Sequence, residues 1–273
     1  MGFSNTLMVA ALRRLSTNWR QALRLAVLPL LISLMAEYLF WSDIGAGGEG
    51  HTGLGGTFFF AIAGVVVFIA VFSLMAIGWH RLVILHEDPS FAGLSSGSGR
   101  LVKYALDWIL LGLLVTVINM VLLLPLILWN AQDTMPVADA LRLSESLVMI
   151  VSPYVIAGVV VLRLGLGLVA TAVDAPRLTF ASSWTVSRRH SKDVLLSAIL
   201  LGAVALILFL PTEAMLSSRG AAIAYGVNMV LFEGVTSMLN ALGTVVLTLI
   251  EVAMLTELYG RITGGKTGRG DQA

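Results

Sequence analysis

Three ionisable side chains lie inside long apolar stretches of the sequence, where a charge is costly. They are Asp107, Arg163 and Glu251. If these stretches are helices that cross a membrane, each of the three side chains lies roughly 5–10 Å from the same membrane boundary. An unpaired charge in the hydrocarbon costs about 2.5–3.5 kcal/mol on insertion scales. The sequence therefore predicts an intramembrane polar cluster in which Arg163 pairs with Glu251, with Asp107 or with both.

This cluster has three interpretations. In the first, it is an ion pair or a hydrogen-bonded group that fixes helix packing. In the second, Arg163 extends alone to the lipid headgroups. In the third, the cluster binds a substrate anion or relays protons, because ionisable groups at membrane depth are functional candidates by default. The first two interpretations are purely structural, so the cluster by itself does not establish a function.

Combinations of residues that would carry other chemistry are scarce. The chain has no cysteine, which excludes disulfides, thiolate metal sites and cysteine nucleophiles. His80 and Glu87 are seven residues apart and would share a helix face, but no second histidine lies on that face and there is no His-Glu-x-x-His motif. The sequence therefore predicts no catalytic residues, no cofactor and no metal site.

The amino-acid composition indicates whether these residues belong to a soluble or a membrane protein. Of 273 residues, 58% are apolar and 12% are charged, about half the ~25% typical of a soluble domain. The mean hydropathy is +0.91. A soluble domain of this size leaves too much surface exposed to hide so many apolar side chains. The composition excludes a soluble enzyme, a disordered protein and a nucleic-acid binder, and it predicts an all-α integral membrane protein.

The apolar stretches predict six transmembrane helices in a single membrane domain, residues 1–262. A bilayer core of ~30 Å needs about 20 apolar residues in a helix. Stretches of about this length, rich in Leu, Val, Ile and Ala, recur along the chain. The predicted spans are 24–42, 55–79, 104–129, 146–170, 194–212 and 236–258. Residues 263–273 are predicted to be a disordered tail.

The distribution of basic residues predicts the orientation. Six spans place 14 of the 17 Lys and Arg residues on the side that carries both termini and two on the other side, while Arg163 lies within a span. Cytoplasmic segments carry the excess of basic residues. Both termini are therefore predicted to be cytoplasmic.

Two segments on this basic side predict amphipathic helices that lie in the plane of the membrane, over residues 1–23 and 180–191. Residues 1–23 lack the features of a cleaved signal peptide but place apolar and basic residues on opposite helix faces. The alternative is that this segment is a cytoplasmic extension that packs on its neighbours. The residues predicted to anchor the two helices to anionic headgroups are Arg13, Arg14, Trp19, Arg20, Trp184, Arg188, Arg189 and Lys192.

A set of polar and aromatic residues on the basic side resembles the membrane domain attached to some glycerophosphodiester phosphodiesterases, and uncharacterised bacterial multi-pass inner-membrane proteins of that type. The resemblance covers about residues 20–260. It implies the membrane architecture and a bacterial inner-membrane location. It does not imply phosphodiesterase activity, because the soluble domain and its metal-binding carboxylates are absent. The residues that carry it are Trp79, His80, Arg81, Glu87, Asp174, Ser182, Trp184, Arg188 and Arg189.

We therefore expect a non-enzymatic protein of the bacterial inner membrane that organises the bilayer or binds partners through its basic cytoplasmic helices. Its expected partners are the lipid bilayer with its anionic headgroups, other membrane proteins or a second copy of the chain. The alternative is a transporter of small solutes or lipids that uses the polar site around Arg163. A membrane-embedded lipid enzyme, the third class, lacks a visible catalytic set.

Overall fold

The computed structural model describes residues 6–45, 54–88, 98–132, 139–218 and 228–264, together with 223, 225 and 226. Within these ranges the secondary structure is helical and no strand occurs. The helices are α1 (Leu7–Thr17), α2 (Trp19–Gly45), α3 (Leu54–Leu85), α4 (Ser98–Gln132), α5 (Asp139–Leu164), α6 (Leu166–Ala172), α7 (Phe180–Ser187), α8 (Ser191–Ser217) and α9 (Met229–Thr263). A 3-10 turn, Arg188–His190, joins α7 to α8.

Among the described residues, five helical stretches are long and apolar enough to cross a membrane, and a sixth is present if the bent pair α5–α6 is counted as one span. The predicted spans 24–42, 55–79, 104–129, 194–212 and 236–258 lie within α2, α3, α4, α8 and α9. The all-α class is thus confirmed for the described residues, and the long apolar helices suggest a multi-pass membrane protein. Of the predicted tail, only residues 263 and 264 belong to the described part of the chain.

The longest helices extend well beyond the length that a bilayer requires. Helix α9 has 35 residues and is therefore about 52 Å long, against a hydrocarbon core of ~30 Å. The side chain of Asn228 begins it by accepting a hydrogen bond from the backbone N–H of Leu231 at 3.2 Å. Gly264 ends it in the left-handed conformation, with φ of 68°. The extra turns carry the polar side chains of Glu257, Arg261 and Thr263. We call this end of the bundle, where α9 ends, the basic end.

The core is built around α9, which packs against α1, α2, α3, α5, α6 and α8. Helix α6 is buried along its whole length of seven residues, between α9, α4 and α3. Helix α4 is the most peripheral of the candidate spans, because only 6% of its most apolar stretch is buried, compared with 56% of the equivalent stretch of α9.

The predicted span 146–170 is broken rather than straight. Helices α5 and α6 meet at Gly165 with a bend of 54°. A Cβ atom at Gly165 would lie 2.6 Å from the carbonyl oxygen of Val161, and one at Gly167 would lie 2.5 Å from the carbonyl oxygen of Leu178. Both positions therefore require glycine, because any larger residue would place its Cβ against a backbone carbonyl oxygen. The break allows α6 to enter the centre of the bundle.

The helices that were expected to lie on the membrane surface pack more closely on the bundle than expected. Helix α1 buries Leu7, Met8 and Ala11 and packs on α9 and α8, which is the packing that the alternative of a cytoplasmic extension predicts. The segment 180–191 is a helix, but it runs through the 3-10 turn into α8, and residues 180–216 form one continuous apolar stretch. The orientation of either helix relative to a membrane stays a prediction.

Candidate functional site

The ends of α3, α4 and α6 converge at the basic end, where two arginines and two carboxylates form what we call the arginine–carboxylate network. Arg81 donates two hydrogen bonds to Glu87, at 2.7 and 2.8 Å. It donates a third to the Asp174 carboxylate at 2.9 Å. Arg100 holds Asp174 from α4 with two further bonds, at 2.9 and 2.7 Å. The network therefore ties the ends of three helices to one carboxylate.

Asp174 occupies its place because of the way α6 ends. The residue adopts a left-handed conformation, with φ of 56°, and the N–H of Ala175 returns to the carbonyl of Ala170 at 2.9 Å, which closes the helix end. Burial alone raises the pKa of the Asp174 carboxyl, but hydrogen bonds from Arg100 and Arg81 outweigh it and hold the pKa below its ordinary value. Asp174 is therefore an anion at neutral pH.

A second polar group lies in the core beside this network. His80 is fully buried, with Nδ1 2.8 Å from the Thr256 hydroxyl and Nε2 3.2 Å from the Tyr104 hydroxyl. The Thr256 hydroxyl donates its only proton to the Val252 carbonyl at 2.6 Å, so it accepts from Nδ1–H. A fully buried imidazole with no acidic partner among the described residues is neutral, so Nε2 accepts from the Tyr104 hydroxyl. His80 thereby joins α3, α4 and α9.

The predicted pairing of Arg163 needs correction. Its guanidinium carbon lies 4.6 Å from the ring centroid of Trp184, and it donates a hydrogen bond to the Ser191 hydroxyl at 2.8 Å. The Ser187 hydroxyl donates to the Trp184 carbonyl at 3.0 Å and lies 3.4 Å from the backbone carbonyl of Arg163. In the described part of the chain, Arg163 pairs with neither Asp107 nor Glu251. Arg163 lies two residues before the bend at Gly165, and its side chain contacts α7 and the start of α8.

The other two members of the predicted cluster lie apart from Arg163. Asp107 on α4 pairs with Arg177 at 3.3 Å. Glu251 is partly buried on α9, and it forms no hydrogen bond or ion pair with another described residue. Depth alone did not predict these partners, because the three helices present these side chains in different directions around the bundle.

The predicted surface anchors are exposed in the structure, with one exception. Arg14 forms an ion pair with Glu257 of α9 at 3.1 Å, which fastens α1 to the bundle. Exposed at the basic end are Arg13, Trp19, Arg20, Trp184, Arg188, Arg189 and Lys192. These side chains form what we call the basic face. The residues of the basic face lie on α1, α2, α7, the 3-10 turn before α8, and α8.

The sites differ in their capacity for chemistry. The described residues include no group of three or more histidines and carboxylates placed to hold a metal ion, and both ring nitrogens of His80 are already engaged. Residues Gly93 to Gly97 match Gly-x-Ser-x-Gly, a spacing that the prediction of no catalytic residues overlooked. They lie outside the described residues. The hydrolase motif follows a strand, whereas the element that precedes this segment is helix α3.

Comparisons of this chain with protein-family models, with curated proteins and with solved structures find no match. The resemblance drawn from the sequence therefore stays a prediction. Several of the residues that carry it do meet in space, because Arg81, Glu87 and Asp174 belong to the arginine–carboxylate network. The structure adds Arg100, Tyr104 and Thr256, which the sequence analysis had missed. Their only sequence signal is that polar residues recur at helix ends on the basic side.

Proposed function

We propose that this chain is a non-enzymatic, multi-pass protein of the bacterial inner membrane that organises anionic lipids or a partner protein at its basic end. The observation that carries the proposal is the basic face, whose cations point outward from several helices. The ion pair of Arg14 with Glu257 supports it by holding α1 on α9. The contacts of Arg163 with Trp184 and Ser191 support it by holding α7 and the start of α8 against α5. Basic residues near an anionic surface contribute ~1 kcal/mol each.

In this proposal the basic end faces the cytoplasm, and α1 and α7 lie at the level of the headgroups. Helix α1 keeps its apolar side on α9 while its exposed side contacts lipid. Reporter fusions test the orientation. A reporter active only in the cytoplasm should work at Ala273, and one active only in the periplasm should work near Gly48. Activity of the periplasmic reporter at Ala273 would refute the orientation.

The lipid part of the proposal is tested with the full chain in phosphatidylcholine vesicles that contain a minor fraction of phosphatidylglycerol. The measurement is the motionally restricted fraction of spin-labelled phosphatidylglycerol against spin-labelled phosphatidylcholine. We expect a preference for the anionic lipid that falls with added salt and in Arg188→Gln/Arg189→Gln. The matched control is Arg142→Gln/Arg219→Gln, which removes the same charge from the predicted opposite side. Equal effects of the two pairs would contradict a role of the basic face.

The broken span favours a second candidate, a transporter of small solutes or lipids whose site lies around Arg163. Discontinuous helices form the substrate sites of many transporters, and Arg163 precedes the break at Gly165. Because the chain has no cysteine, single cysteines report water access cleanly. Leu164→Cys and Thr171→Cys should resist a membrane-impermeant maleimide if the protein is a scaffold. Labelling of either from both sides of the membrane would favour transport.

A further inference from the structure

A groove on the outside of the bundle shares no residue with the basic face. It runs along the first turns of α4 and beneath the segment that follows α6, is open to the surroundings and has a volume of about 600 Å³. Its walls combine cations with apolar side chains. The lining residues are Gly99, Val102, Lys103, Leu106, Asp107, Leu110 and Arg177.

The two cations of the groove keep most of their hydrogen-bonding capacity. Lys103 is exposed and forms no ion pair or hydrogen bond with the rest of the described chain. Arg177 donates one bond, to Asp107 at 3.3 Å, and its side chain is 61% exposed. An ammonium has three donors and a guanidinium has five. Asp107 therefore positions Arg177 beside Lys103 and leaves an excess of one positive charge.

The apolar wall continues along α4 away from these cations. Val102, Leu106 and Leu110 are each more than half exposed and recur at intervals of four residues, which places them on one helix face. The exposed stripe continues through Leu113 and Val117. From residue 102 to residue 117 it is about 22 Å long, enough to accompany an acyl chain through one leaflet of a ~30 Å core.

We propose that this groove binds one anionic phospholipid. Lys103 and Arg177 hold the phosphate, and an acyl chain lies along Leu106, Leu110 and the rest of the stripe. The combination of cations at one end with an exposed apolar stripe matches a lipid that is charged at one end and apolar along its length. The inference deepens the proposed function by naming the class of lipid that is bound. It rests on the proposed function in one respect, that α4 spans the membrane.

The test is native mass spectrometry of the full chain in detergent, with phosphatidylglycerol, phosphatidylcholine and inorganic phosphate as separate probes. We expect one phosphatidylglycerol per chain and no retained phosphatidylcholine. Inorganic phosphate at the same concentration should not displace the lipid. Lys103→Gln/Arg177→Gln should weaken retention roughly 10- to 30-fold, since two cations contact the phosphate. Leu110→Gln should weaken it without changing a charge.

The matched control is Arg188→Gln/Arg189→Gln, which removes the same charge from the basic face and should leave the bound phosphatidylglycerol in place. Melting curves show whether each variant is folded. Retention that survives in both folded groove variants would overturn the proposal, and so would an equal loss in the control pair. Displacement by inorganic phosphate would show an anion site without lipid recognition, and a dimer in place of bound lipid would assign the stripe to a second copy. If the spin-label experiment in vesicles shows no preference for phosphatidylglycerol while the groove still retains its lipid in native mass spectrometry, the proposal for the basic face fails and the proposal for the groove stands.

Discussion

Replacing Asp174 with asparagine removes the negative charge on which two arginines converge and leaves the shape of the side chain almost unchanged. Asparagine also tolerates the left-handed backbone at this position, so the substitution tests the charge alone. Arg100 and Arg81 would then face each other across a neutral amide. We expect the ends of α3 and α4 to lose part of their attachment to the end of α6.

The magnitude follows from three hydrogen bonds and the exposure of the groups that make them. Bonds to a charged group are worth roughly 1.5–3 kcal/mol where water is excluded, and exposed ion pairs 0.2–1 kcal/mol. The Asp174 side chain is 56% exposed, whereas those of Arg81 and Arg100 are 16% and 20% exposed. An intermediate cost of about 1–2 kcal/mol is therefore expected. At roughly 2–4 °C per kcal/mol, the melting temperature should fall by about 2–8 °C.

The assay is thermal unfolding of the purified chain in detergent at neutral pH. Asp88→Asn is the matched control, because Asp88 is exposed and makes no ion pair or hydrogen bond with the described residues. Asp174→Gly should be less harmful than Asp174→Asn, since glycine relieves about 1 kcal/mol of left-handed backbone strain. In a double-mutant cycle, Asp174→Asn and Arg100→Gln should be non-additive. Strict additivity, or a loss no larger than that of Asp88→Asn, would refute the network as a stabilising clamp.

Three further predictions concern the same end of the bundle. Gly165→Ala should destabilise the chain by about 1–3 kcal/mol, because the new Cβ would lie 2.6 Å from a carbonyl oxygen. The control, Gly112→Ala, has no neighbour within 4 Å and should be neutral or stabilising. Equal shifts in melting temperature for the two variants would contradict this reasoning. Arg163→Gln and Trp184→Leu should show a coupling of about 0.5–1 kcal/mol in a melting cycle, and additive effects would mean that the stacking contributes nothing. The pKa of Asp174 is lowered on folding, so the stabilisation that its charge provides is present above the ordinary aspartate pKa of ~3.9 and is lost as the pH falls through the lowered value. The difference in melting temperature between the wild type and Asp174→Asn should therefore shrink in acid. A difference that grows in acid would be inconsistent with the lowered pKa.

The helical spans were predictable because they depend on local sequence. An apolar stretch of about 20 residues in lipid has to satisfy its backbone hydrogen bonds internally, and a helix does this whatever its neighbours are. Five of the six predicted spans accordingly lie within single helices. The exposed positions of Arg13, Arg188 and Lys192 were predictable for a similar reason, because cations without a partner stay at the surface.

The partners of the buried and half-buried polar groups were decided only by the tertiary structure. Residues 80, 104 and 256 meet at one imidazole, and Arg100 reaches Asp174 across 74 positions of the chain. The depth of a side chain in the membrane does not by itself fix its neighbours. The neighbours also depend on the rotation of each helix about its axis and on the position of the helix in the bundle, which are set by the packing of all the helices. The bend at Gly165 added a further change of direction. For these reasons Arg163 lies against Trp184, although its depth had suggested Glu251.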